Sequence, residues 1–428
     1  MTATAQALDA SVRPATRRYV LFILTIVYVL SFMDRQILSI LLEDLRAEFA
    51  FSDLELGLLS GLAFAMFYGV LGVPVARIAD RTNRAKLVAV AITAWSLATA
   101  ACAAATGFFS LFLARMGVGV GEAGGTAPSI SLLADYYNRF EMPRAMAFFG
   151  TGPVFGAILG LGLGGTIAEA WGWRWAFVVA GLPGVLVGII VWLTIRDPRP
   201  VASVPTPAAA AELKFGKALR NLLGNRNYVL ATLQHTTAIA MTYAIASWLP
   251  SLLHRSFELE RSQVILYTAT VFIAGGLLGT VSGGLIAERL VRRTARWQYL
   301  LPAIGSICAI PILITGFVGG FAIGPTVALL ALGNFLMQWN FAPLHALIQS
   351  VVEPKVRTFA ASIVLLVATI LGLAFGPAVI GLLSDGYAEA AGEQSLAWAL
   401  ASFVAIVPVS ACIGLWGAKW FHESDLAD

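Results

Sequence analysis

Apolar runs of about twenty residues recur along the chain, separated by short charged or Gly/Pro-marked breaks. A helix needs ~20 apolar residues to cross a hydrocarbon core, so each run predicts one transmembrane helix. The runs fall at 19–45, 55–78, 86–106, 108–135, 145–168 and 176–195, then at 228–252, 264–287, 297–318, 322–350, 358–383 and 395–421. They take up well over half of the chain, which excludes a string of soluble domains. The expected fold class is an all-α integral membrane protein of twelve transmembrane helices.

One long polar interruption, residues 196–227, divides the chain almost in half. It predicts an N-terminal tail at 1–18, a six-helix half at 19–195, a linker at 196–227, a second six-helix half at 228–421 and a tail at 422–428. Within the linker, Phe215, Leu219 and Leu222 recur at helical spacing beside Lys214, Lys217 and Arg220. That is the pattern of a basic amphipathic helix resting on a leaflet, or latching the halves. The halves repeat each other. Ala76-Arg77-Ile78-Ala79-Asp80-Arg81-Thr82-Asn83-Arg84 matches Gly284-Leu285-Ile286-Ala287-Glu288-Arg289-Leu290-Val291-Arg292 as small-x-x-Ala-acid-Arg-x-x-Arg. Asp135 and Arg144 likewise match Glu353 and Arg357. Parallel six-helix repeats are how one large class of transporters is built.

Composition agrees: 58% of residues are hydrophobic, 12% are charged, and the mean hydropathy is +0.81. A pI near 9.0 raises the question of nucleic acid, but topology accounts for the basic residues better. Of 28 Lys and Arg, 22 fall in loops on one side of the twelve spans and 4 on the other. The positive-inside rule then places both termini in the cytoplasm and the chain in the cell (inner) membrane. The first seventeen residues lack a signal peptide's apolar core and cleavage site, so the first helix is expected to remain as an anchor. Cys102, Cys308 and Cys412 stand singly and without ligand spacing, so neither a metal site nor redox work is expected.

The loop after the second span resembles the signature of the major facilitator superfamily, with Asn83 where a glycine is usual. Asp80-Arg81-x-Asn83-Arg84, Asp34-Arg35, Arg115-x-Gly117-Val118-Gly119-Val120-Gly121-Glu122-Ala123 and Trp173-x-Trp175 are together similar to the bacterial spinster-like branch. The resemblance implies a rocker-switch transporter, two pseudo-symmetric six-helix bundles, proton coupling, and an amphiphilic solute of the lysophospholipid or sphingoid phosphate type. Sphingolipid movement is among the activities associated with that branch. One fold hosts many functions, so an uncoupled facilitator or scramblase, and a proton-coupled carrier of a small organic anion or sugar, stay open.

Ionisable side chains inside a span cost ~2.5–3.5 kcal/mol at the helix centre on insertion scales and usually face a cavity or partner. Asp34 and Arg35 lie mid-helix in the first span, and Arg115 and Glu122 lie seven residues apart on one face of the fourth. Tyr28, Ser31, Arg35 and Ser39 form one polar stripe; Arg115, Gly119, Glu122, Thr126 and Ser129 form another. Asp34 and Glu122 are the candidate proton carriers, with Arg35, Arg115, Ser31 and Thr126 as substrate-binding groups. Arg35 is expected to pair with Glu122 across the two helices. A static ion-pair cluster that fixes packing is the alternative. In the second half, His235 and a stripe of Asn334, Gln338, His345 and Gln349 complete the candidate binding set.

Asp80, Arg84 and Asp135 are expected to form a cytoplasmic lock, with Glu288, Arg292 and Glu353 as its counterpart; topology alone also accounts for these charges. The Gly-x-Gly-x-Gly run sits in an apolar span with no strand before it and carries no nucleotide-loop reading. No catalytic constellation of a lipid enzyme is present. No cofactor is expected, and the partners are a transported solute, protons and membrane lipids around a monomer.

Overall fold

The computed structural model describes residues 14–137, 141–198, 215–353 and 356–422. Parts of the expected tails (1–13 and 423–428) and of the linker (199–214) therefore lie outside the described residues.

The described residues are helical and contain no strand. Lipid dictates this, because a backbone crossing hydrocarbon must satisfy its own hydrogen bonds. The first half runs α1 (Pro14–Phe49), α2 (Asp53–Ser60), α3 (Leu62–Arg81), α4 (Arg84–Cys102), α5 (Phe108–Glu122), α6 (Thr126–Tyr136), α7 (Met142–Phe149), α8 (Gly152–Trp171) and α9 (Trp173–Thr194). After α10 (Phe215–Gly224) come α11 (Arg226–Phe257), α12 (Arg261–Thr270), α13 (Leu278–Val291), α14 (Trp297–Val318), α15 (Ile323–Met337), α16 (Phe341–Ser350), α17 (Arg357–Val367), α18 (Phe375–Ala391), α19 (Ser395–Phe403) and α20 (Ile406–Trp420). Among the described residues, ten segments are long and apolar enough to cross a membrane. One of them, Phe359–Trp420, is 62 residues long and holds two crossings. The fourth span, α5 with α6, is interrupted at 123–125 and stands outside those ten.

The chain forms two compact units, Met1–Phe49 with Met66–Ala210, and Ala50–Ala65 with Ala211–Asp428. In the first unit α1 packs on α8, and α4 packs on α5 and α9. Small residues permit this closeness: a Cβ on Gly156 or Gly160 would strike the main-chain oxygens of Val29 or Met33, and one on Gly164 would strike Ile37. Gly160→Leu is therefore expected to destabilise by at least the ~1–3 kcal/mol of an overpacked core, measured by thermal unfolding in detergent. Gly162 has nothing within 4 Å of an added Cβ. Gly162→Leu should leave the unfolding temperature unchanged.

In the second unit α14 packs on α15 and α20, α11 on α20, and α2 on α18. Seven-residue π-helical segments, Val271–Leu277 and Ala368–Ala374, join α12 to α13 and α17 to α18. Leu222 of the amphipathic α10 is buried in a cluster with Tyr228, Leu347, Ile348 and Val351, so α10 is docked on this unit. Arg226 lies over Trp416 and Trp420, and Lys86 over Trp192. Such cation–aromatic pairs suit the membrane interface, where both residue types are enriched.

Candidate functional site

In the first unit Arg35 and Glu122 meet. Arg35 Nε and one guanidinium NH2 donate to a single oxygen, Glu122 Oε2, at 2.9 and 2.6 Å. Ser31, one turn earlier on α1, donates to the same oxygen at 2.7 Å. Glu122 is 1% exposed, and its Oε1 has no hydrogen-bond partner among the described residues. The guanidinium lies 4.9 Å from the Phe32 ring and 4.6 Å from the Tyr68 ring, which hold it by cation–π attraction.

Asp34, about 100° around the helix from Arg35, turns elsewhere. Its Oδ2 accepts from Thr99 at 3.1 Å, while Oδ1 has no hydrogen-bond partner among the described residues. Arg115 donates to the Asp34 main-chain oxygen at 3.3 Å. The two ends of the α5 stripe thus address α1 at different points. With two acids and two bases the cluster sums to zero formal charge, which limits the cost of burying it. Buried carboxylate oxygens without donors are uncommon in stable interiors and call for an explanation.

Thr126 opens α6 beyond the break at 123–125. With Ser31, Ser129, Tyr28, Trp95 and Phe149 it lines a small cavity beside the Ser31 end of the cluster. Tyr28 and Phe149 stack there at 4.5 Å.

The second-unit stripe divides. Asn334 donates to the Val271 main-chain oxygen of the first π-helical segment, and Gln338 packs near Gly276 and Gly279. His345 faces α11 instead, with its ring 4.6 Å from that of His235. The cause is the 3-10 turn Gln338–Asn340 between α15 and α16. Three residues at 3.0 per turn advance the face about 60° further than three at 3.6.

The lock residues are placed as follows. Arg84 is buried and bonds Asp135, Ser131 and, through its main-chain N–H, Nε and NH2, the Asp197 carboxylate. Every one of these bonds lies within the first unit and ties the ends of spans three, four and six. The Asp80 side chain lies outside the described residues. Glu288 and Arg292 pair at 2.6 Å on the exposed surface of α13. Glu353 is exposed and in no ion pair among the described residues, so the expected three-residue counterpart is here a two-residue one. Asn83, which stands where a glycine is usual, caps α4 by accepting from Lys86 N–H at 3.0 Å.

Residues 24–377 match the model of the Major Facilitator Superfamily. The chain belongs to that superfamily. It is 29% identical over 408 residues, 95% of this chain and 93% of the other, to an MFS-type efflux pump of Mycolicibacterium smegmatis. It is 28% identical to human protein spinster homolog 1, over 87% of this chain and 74% of that one. It superposes with TM-score 0.83 and 25% identity on a bacterial homolog of the human lysosomal transporter spinster, crystallised inward-facing and occupied, covering 98% and 100% of the two chains. The unoccupied inward-facing form gives TM-score 0.86 at 24% identity, over 97% and 100%. The protein is thus a spinster-like secondary transporter of the major facilitator fold, and its family is not one of enzymes.

One polar cluster of this major facilitator escapes the sequence reasoning. Asp53, 2% exposed, accepts both guanidinium nitrogens of Arg255 at 2.8 Å and Ser384 Oγ at 2.6 Å. Asp385 accepts the main-chain N–H groups of Asp53 and Leu54, both at 2.9 Å. The structure has a capping box at Ser52 and Glu55, at the start of α2. An acid in a first turn is then explained by the helix dipole alone, which hides its pairing with α11 and α18. Thr99, Tyr68 and Asp197 are also missed, because a hydroxyl, a phenol and a linker acid carry no positional signal.

Proposed function

We propose that this transporter couples the movement of protons to that of an amphiphilic solute with an anionic head, of the lysophospholipid or sphingoid phosphate type. It does so by rocker-switch alternating access in the inner membrane of a bacterium, with both termini cytoplasmic. The observation that carries the proposal is Glu122: one oxygen holds Arg35 and Ser31, and the other has no donor among the described residues. A proton on Glu122 removes the charge opposite Arg35. The guanidinium is then released to take a phosphate bidentately. Loss of the proton restores the pair and ejects the anion. Asp34 is the second acid, able to take a proton separately because its contacts differ. Arg84, Asp135, Asp80, Glu288, Arg292 and Glu353 act at the ends of the spans during the transport cycle.

A second reading is a solute without a lipid tail, such as a sugar or organic acid; the efflux-pump relative, which matches 95% of this chain, supports export as the direction in either reading. A thermal-shift screen of the purified protein against lysolipids, sphingoid phosphates, sugars and organic acids separates the two, since a ligand of the folded state raises apparent stability. Stabilisation by lysolipids or sphingoid phosphates supports the proposal; stabilisation by sugars or organic acids alone contradicts it. Arg35→Ala should weaken binding of the anionic ligand by tenfold or more, measured by titration. Arg35→Lys should be nearly as weak, because Lys lacks the guanidinium fork. Normal affinity in both variants would remove Arg35 from the site.

A further inference from the structure

The histidine pair of the second unit has its proton positions set by its neighbours. Asn340 donates its Nδ2 to the Met337 main-chain oxygen, which leaves its Oδ1 to face His235 Nδ1 at 3.0 Å. An amide oxygen only accepts, so His235 Nδ1 carries the hydrogen. His345 Nδ1 lies 2.9 Å from the Phe341 main-chain oxygen, again an acceptor only, so this ring too is protonated at Nδ1. A neutral imidazole with Nδ1–H has a bare lone pair at Nε2. The rings stand edge to face at 4.6 Å, and the half-exposed Phe341 ring tilts over His345 at 4.4 Å. Two adjoining side chains thus present acceptors and no donor, next to an aromatic face. The buried Asn334 Oδ1, on the preceding helix α15, has no hydrogen-bond partner among the described residues.

We propose that the Nε2 atoms of His235 and His345 form a subsite for a hydrogen-bond-donating group of the transported solute, an ammonium bearing N–H or a hydroxyl. This rests on the transport reading above and adds to it the chemistry at a second point of the solute. A fully methylated ammonium offers no N–H, so the subsite discriminates against it. The expected preference is about tenfold, one or two net hydrogen bonds.

The test uses the full chain in nanodiscs with ¹⁵N-labelled histidine, which reports protonation at each ring nitrogen. Methylammonium, glycerol and tetramethylammonium are the small probes; lysolipids carrying ethanolamine, glycerol and choline heads on one acyl chain are the large ones. The free protein should show both rings as Nδ1–H. Methylammonium or glycerol should shift the Nε2 signals, and tetramethylammonium should not. Whichever of the two acts identifies the donor as ammonium or hydroxyl. The matching lysolipid should bind about tenfold more tightly than the choline form, and His345→Phe should erase the difference. An Nε2–H tautomer in the free protein, equal response to all three small probes, or none, overturns the subsite. Discrimination among the small probes with no binding of any lysolipid upholds the subsite and overturns the lipid reading alone.

Discussion

Glu122→Gln is expected to abolish flux driven by a pH gradient while leaving binding and exchange of the solute at least partly intact. Glutamine keeps the length and the carbonyl oxygen that accepts from Ser31 and Arg35, so the cluster can hold its shape. It cannot gain or lose a proton. Arg35 then has no switched counter-charge, and the energy of the proton gradient has no route to the site. Gradient-driven accumulation in proteoliposomes should fall at least tenfold, whereas gradient-independent exchange should fall by a smaller factor. Asp34→Asn separates the two acids: if Asp34 is the main carrier, its variant has the severe phenotype and Glu122→Gln retains the wild-type gradient dependence.

Arg255→Ala is expected to be the most destabilising single change in the second unit. Arg255 and Asp53 are both largely buried and pair through two parallel bonds of 2.8 Å. Removing one partner of a buried pair costs about 3–5 kcal/mol, because the other charge is left in a dry place. Ser384 cannot replace the guanidinium. The damage should be local at first, since Gly57 of α2 and Gly61 just past it approach the main chain at Pro377 of α18 and at Leu373 of the π-helical segment before it. Trp248 anchors the same stretch by donating to the Pro377 oxygen at 3.0 Å. Thermal unfolding in detergent should show the loss, and protease cleavage within 50–65 should rise. The double variant Asp53→Asn with Arg255→Gln should be less destabilised than the two single changes summed, the mark of direct coupling. Stability of Arg255→Ala within about 0.5 kcal/mol of wild type would contradict the account.

The spans were legible because hydropathy reports the solvent directly: about twenty apolar residues between charges have one solution in lipid. The Arg35–Glu122 pair was legible for a narrower reason. Helical spacing places Ser31 with Arg35, and Glu122 with Arg115, on single faces, and charges at mid-membrane depth seek partners. Spacing gives the face of a helix and not what stands opposite. It therefore could not show that Arg115 reaches a main-chain oxygen of α1, or that Arg84 bonds Asp197 across 113 residues of chain. The stripe on the tenth span depends on an assumption that spacing alone carries. Asn334, Gln338 and His345 share a face only if the helix is uniform, and the 3-10 turn at Gln338–Asn340 rotates His345 away. The π-helical segments Val271–Leu277 and Ala368–Ala374 were invisible for the same reason, since both lie in apolar runs whose composition continues through them.

Proton coupling through the first-unit cluster is the central claim, and flux in proteoliposomes tests it most directly. The wild-type chain is reconstituted with a fluorescent lysolipid outside and a pH-sensitive dye inside, with and without an imposed pH gradient. The account predicts that lysolipid movement accelerates severalfold or more under the gradient, that dye and lysolipid signals change together, and that both responses vanish in Glu122→Gln. Lysolipid movement at the same rate with and without the gradient, and no dye response on adding lysolipid, would contradict it and leave an uncoupled carrier.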